Sequence, residues 1–304
     1  MKLTKNKPVF PREMTNTLAK VCEQLVIAQH NLNKNIRHDW PAANFPFLRA
    51  ARAEINEAQG YTSWEWWKNL DQNWRDVFRT ESDRDEFHME LVDALHFMVS
   101  ALIQTFWEDD ETLWGHWDLV NASQKLLGYL SEGERRSREG ENRMSFEEGE
   151  LGELPPESTL VRLEQLQFLL LNNDLSGSFH MLVELANHTG LGLQGLIGRY
   201  FAKGTLNVFR QVHGYKEKTY IKTWGDGKED NFFLNRETIP YLSKVSLEEL
   251  ANRVATGSYQ HDLAVELEQM YRRVQRNGHC DHEAAESTGK FAGVPAHGNP
   301  SGNE

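Results

Sequence analysis

An all-α fold, a multi-helix bundle, is predicted from three observations. Apolar residues recur at helical spacing through most of the chain, strand-type alternation is scarce, and candidate helices stop at Gly60 and Gly214. The first helix is expected over 12–35, where Leu18, Val21, Leu25 and Ala28 fall on one side. A second spans 47–59 and closes on Gly60 as a C-cap. The third starts at Ser82 or Asp83 and carries Leu91, Leu95, Met98 and Leu102 towards Trp107. Further helices are expected at 112–131, 158–172, 176–189, 192–212 and 246–276. The segment 131–156 is rich in charge, Gly and Pro and reads as a mobile polar insertion; 277–304 has few apolar residues and reads as a disordered tail. One all-α domain over 1–276 follows.

The chain has 304 residues, 39% of them hydrophobic, enough for a sizeable core. With 45 acidic and 33 basic residues its formal charge is −12, which argues against general binding to nucleic acid or an anionic membrane. Cys22 and Cys280 lie far apart and outline no disulfide framework, as in a reducing compartment. The basic start Met1–Pro8 lacks an apolar run, so no signal peptide is expected, and no stretch has the length of a membrane span. A cytoplasmic protein is the expectation.

Charge patterning points to chemistry. Glu54 and Glu57, then Glu90 and Asp93, are acidic pairs at i,i+3, and residues so spaced share one helix face. One such pair is most often a solvated face. The second, however, sits among Leu91, Val92, Leu95 and Phe97, where charge needs neutralising. Two such helices face to face would put four carboxylates around one pocket, a cage for a hard cation such as Mg²⁺. Farther on, Lys203, Asn207 and Arg210 follow i, i+4, i+7 on one stripe, and Lys216 and Lys222 can return from a loop beyond Gly214. Alone these would be surface cations; beside a carboxylate cage they suit a polyphosphate.

Other features leave alternatives open. Gln29, Asn31 and Asn33 either cap the first helix or read a base edge, since an amide offers donor and acceptor. The Trp64–Trp67 run is core packing or a stacking wall, with packing expected for at least two of its three tryptophans. His96 reads as a packed residue near the site. His279-Cys280-Asp281-His282 resembles a fragment of a metal site, but it is isolated in the polar tail, and zinc there would need a further ligand or a partner, so no metal site is expected.

Together, Gln29-His-Asn-Leu-Asn33, Glu54-Ile-Asn-Glu57, Ser63-Trp-Glu-Trp-Trp-Lys68, Glu90-Leu-Val-Asp93-Ala-Leu-His-Phe97, Lys203–Arg210, Gly214-Tyr-Lys-Glu217 and Glu229-Asp-Asn231 resemble the dimeric, all-α dUTP pyrophosphatases, relatives of the all-α nucleotide pyrophosphohydrolases. The resemblance spans about 25–110 and 197–233. It implies a homodimer with a mobile substrate-closing part and Mg²⁺-dependent cleavage of dUTP or dUDP to dUMP, with two or more ions per site. Glu54, Glu57, Glu90 and Asp93 are then the metal ligands and catalytic acids. Lys203, Arg210, Lys216 and Lys222, with Tyr215 beside them, become the phosphate clamp. Gln29, Asn33 and Asn207 become nucleoside readers, and the matching stretches add Trp64, Lys68 and Asn231 to the substrate-contacting set. Lys218 departs from the family, which has Gly there. In the mechanism so implied, carboxylate-held Mg²⁺ binds the phosphates and activates water, Glu57 orients it or takes its proton, and the basic clamp neutralises pyrophosphate. A dCTP or broader nucleotide pyrophosphatase and a non-catalytic nucleotide-binding module are the alternatives.

Overall fold

A computed structural model describes residues 12–68, 77–107, 116–139, 159–225 and 227–288. Ten α-helices and one short 3₁₀ turn, 66–68, are found among the described residues, with no sheet among them. They are α1 (Arg12–Ile36), α2 (Phe47–Gly60), α3 (Glu81–Gln104), α4 (His116–Glu139), α5 (Thr159–Leu171), α6 (Leu175–His188), α7 (Gly192–Val212), α8 (Asp230–Leu242), α9 (Leu247–Ala255) and α10 (Ser258–Thr288). The expected all-α fold is the observed one.

The centre is α3. It is apolar almost all round, so it is buried on several sides, against α2, α7, α1, α6, α4 and α8. Its start is fixed by Thr80, whose Oγ1 accepts from Asp83 N at 3.0 Å, with Glu81 and Asp83 favourably placed in the first turn. The second most buried long helix is α7, packed against α3, α10 and α8. Because α2 lies along α3, and α7 along another part of it, acids from two helices and cations from a third are carried into one region.

Gly214 stops α7 as expected: its φ is +87°, and Tyr215 N–H reaches back to Arg210 O at 3.0 Å. Four expectations need revision. Gly60 is not left-handed; α2 is closed instead by Tyr61 at φ −85°, ψ −1°. Residues 131–139 are packed helix rather than the start of a surface insertion. Gly133 lets α4 approach α6, since a Cβ there would lie 3.1 Å from His180 Cα and 3.1 Å from Val183 Cβ, and buried Glu134 accepts from Asn187 at 2.8 Å. The single helix expected over 246–276 is broken by Gly257 at φ +74°, and its second part, α10, runs to Thr288. Finally, α8 was not anticipated, because Pro240 sits in its last turn and its apolar spacing is weak. Residues 140–158 and 289–304, with the side chains of the His279–His282 fragment, lie outside the described set. Cys22 is a buried free thiol. No described helix is long and apolar enough to cross a membrane.

Candidate active site

Glu54 and Glu57 project from α2, and Glu90 and Asp93 from α3. Carboxylate oxygens of Glu54, Glu57 and Glu90 all lie within 4.8 Å of one another, a group that could hold a metal ion. Glu57 is exposed, Glu54 half-buried and Glu90 buried. Asp93 is committed otherwise: its Oδ2 accepts from Lys203 Nζ at 2.6 Å. The structure thus brings three of the four expected acids into one cluster and sets the fourth against a buried lysine.

Crowding leaves its mark on protonation. Burial, then the charges of Asp93 and Glu57, push Glu54 up to about 7. Burial and the charge of Asp93 push Glu90 up to about 8, against the pull of Lys203. Burial raises Tyr61 to about 12, helped by Glu90 and Glu86. Carboxylates this close cannot all ionise without a cation between them. Oxygen-only ligands suit Mg²⁺ or another hard ion, so the donor set fits such a cofactor.

Across from the acids, α7 presents its polar stripe. Lys203 Nζ also donates to Asn231 Oδ1 at 3.1 Å. Arg210 grips Asp230 with two bonds, Nε to Oδ2 at 2.8 Å and Nη2 to Oδ1 at 2.6 Å, and reaches Asn231 at 3.2 Å and Asn207 at 3.3 Å. Lys203, Asn207, Arg210 and Asn231 therefore form one network, tied together where α8 begins. The other expected clamp members do not join it. Lys216 Nζ donates to Asn35 O at 3.1 Å and Ile36 O at 3.2 Å, capping α1, and Lys222 pairs with Glu229 at 2.7 Å on the surface. Tyr215 is exposed, 6.2 Å from the Tyr220 ring. Lys68 pairs with neighbouring Glu65 at 2.6 Å. Trp64 meets Trp67 edge-on at 5.3 Å, and Trp67 is exposed rather than packed in the core.

A further polar group lies between α1, α3 and α7. Gln29 and Asn33 are buried and bonded to each other, Nε2 to Oδ1 at 2.9 Å. His96, stacked on Tyr200 at 3.9 Å, meets Gln29 Oε1 through Nδ1 at 2.7 Å. Gln29, His96 and Tyr200 line part of a cavity of about 520 Å³ between α1, α7 and α10.

Sequence reasoning missed Asp230, Tyr200, Ser100 and Glu86. Asp230 is fully buried and accepts from Tyr220 OH at 2.7 Å as well as from Arg210. A buried acid one residue before Asn231 has no signature of its own, because its partner Arg210 lies on another helix. Glu86 was more legible, one turn before Glu90 on the same face. Burial raises its carboxyl above the ordinary range.

Acids facing buried cations across an all-α frame suit the hydrolysis of a polyphosphate. A family model described as dUTPase matches residues 22–215, more than half of the chain, and the chain belongs to that family, the all-α dimeric dUTPases. It is accordingly a hydrolase with dUTP diphosphatase activity. The match includes the acids, Lys203 and Arg210; Lys216, Lys222, Asp230 and Asn231 lie beyond it. No curated protein sequence matches the chain significantly.

Proposed function

We propose that this protein is a homodimeric, Mg²⁺-dependent dUTP diphosphatase that also accepts dUDP and yields dUMP in both cases. The reading rests on one observation above the others: three carboxylates from α2 and α3 lie within 4.8 Å of one another, and the buried Lys203 reaches the same helix faces through Asp93. Glu54, Glu57 and Glu90 would hold the cation, with Asp93 as the fourth acid. A cation bound there supplies charge neutralisation for the phosphate chain and a water nucleophile at neutral pH. Glu57 is the exposed member of the cluster and would orient a water nucleophile or take its proton. Lys203 and Arg210 would stabilise charge on the departing phosphates, and Asp230, bonded to Arg210 Nε at 2.8 Å, holds that side chain in place. Gln29, Asn33 and Asn207 receive the nucleoside. Tyr215, Lys216, Lys222 and Asn231, with Trp64 and Lys68, complete the substrate shell when the mobile part closes.

A nucleotide panel tests this. With Mg²⁺ present, dUTP should beat dTTP and UTP by about tenfold or more in kcat/KM, a difference of roughly 1.4 kcal/mol. Chelation of divalent ions should stop turnover, and light scattering should report a dimer. Turnover that persists under chelation overturns the carboxylate-held cation; dCTP or dTTP as best substrate overturns the base assignment.

A further inference from the structure

A chain of hydrogen bonds passes through Gln29 and Asn33, and its sense determines what these amides can offer a ligand. Ser100 Oγ donates to His96 O at 2.9 Å and accepts from Asn33 Nδ2 at 2.9 Å. Asn33 Oδ1 accepts from Gln29 Nε2 at 2.9 Å. Gln29 Oε1 then accepts twice, from Tyr200 OH at 2.7 Å and from His96 Nδ1 at 2.7 Å. All five residues are buried.

An amide turned over exchanges its oxygen and nitrogen, so the opposite sense has to be weighed. It would set Gln29 Nε2 against both Tyr200 and His96. His96 Nδ1 would have to accept, moving the ring proton to Nε2, a buried atom with no protein partner. A buried N–H without an acceptor is rarer in folded proteins than an unfilled lone pair. Tyr200 OH would be left with Leu25 O, at 3.3 Å, as its acceptor. In the observed sense His96 Nε2 is only an unfilled acceptor and Tyr200 makes a short, strong bond. The two rings therefore fix Gln29, Gln29 fixes Asn33, and Ser100 seats the far end.

What remains unspent follows by counting. The oxygen of Gln29 is saturated, so Gln29 keeps a single N–H. Asn33 keeps one lone pair and one N–H. The order along the relay is donor, acceptor, donor. The pairing edge of uracil is its complement: acceptor at O4, donor at N3, acceptor at O2. Cytosine presents donor, acceptor, acceptor and mismatches at the first two positions. We propose that Tyr200, His96 and Ser100 are positioning residues that set base choice by locking the sense of the Gln29 and Asn33 amides. This rests on the reading above that the base meets Gln29 and Asn33.

The test compares kcat/KM for dUTP and dCTP in the wild type, Tyr200→Phe and Ser100→Ala, each with Mg²⁺ and a check of helical circular dichroism. The wild type should favour dUTP. Each variant should lower the dUTP/dCTP ratio by about tenfold or more, because mispaired buried groups are what reject the wrong base, and the change should fall mainly on KM. A residue that only packs would slow both substrates alike and leave the ratio in place. If one variant fails to fold, the other decides. An unchanged ratio in a folded variant overturns the relay while the dUTP reading stands; a wild type that favours dCTP overturns both.

Discussion

Lys218 holds a backbone conformation that suits glycine. Its φ is +59°, in the left-handed region where a Cβ costs about 1 kcal/mol. Lys218→Gly should therefore raise stability by up to about 1 kcal/mol, read as a higher denaturant midpoint with unchanged slope. A lower midpoint would mean that the lysine side chain contributes more than its backbone costs. His96 gives a prediction of opposite sign on acidification. Burial lowers its pKa from 6.5 to about 4. The unfolded chain binds this proton first, so the stability due to the neutral ring is present above pH 6.5 and is lost as pH falls towards 4. The loss at pH 4 is on the order of 3 kcal/mol. His96→Asn should flatten the dependence of Tm on pH across that window relative to the wild type. Parallel curves would exclude His96 as the titrating group.

Among the elements, α10 invites a direct test. Leu263, Leu267 and Tyr271 bury its inner face, and Gln260 and Glu268 reach the wall of the central cavity. All of these precede Arg276. A chain ending at Arg276 retains all of these contacts and should keep its melting temperature within about 2 °C and its turnover intact. A large drop would show that 277–288 docks. The starts and ends of α1, α5, α6 and α7 were legible to within a residue or two because each pairs an apolar periodicity with a local boundary. The end of α4 was not, because Gly133 and Glu134 look like loop in sequence and become helix only through their fit against His180, Val183 and Asn187. The α8 helix is held by its contact with α7, a partner that a local window cannot see.

At the scale of the whole molecule, helix packing sets metal affinity against stability. Bringing Glu54, Glu57 and Glu90 together costs folding energy that a cation bound there would return. Glu90→Gln should melt no lower than the wild type without metal, yet gain little from Mg²⁺. The wild type at about a hundred times its dissociation constant should gain about 2.7 kcal/mol. Equal Mg²⁺ shifts in both proteins would place the ion elsewhere.

The sequence by itself determined the helical class, the order of most helices, and the acidic pairs and basic stripe that the proposed chemistry uses. Periodicity and i,i+3 spacing are local properties, and they survive without knowledge of neighbours. Local spacing also placed Lys203, Asn207 and Arg210 on one stripe. Tertiary structure decided how those pieces are engaged. It put Asp93 on Lys203 rather than among the other three acids, sent Lys216 to the end of α1, and supplied Asp230 as the anchor of Arg210. It also fixed the amide sense of Gln29 and Asn33, which either orientation of the side chains would satisfy on paper. Hydrogen-bond direction depends on who stands opposite, and His96, Ser100 and Tyr200 come from helices distant in the chain.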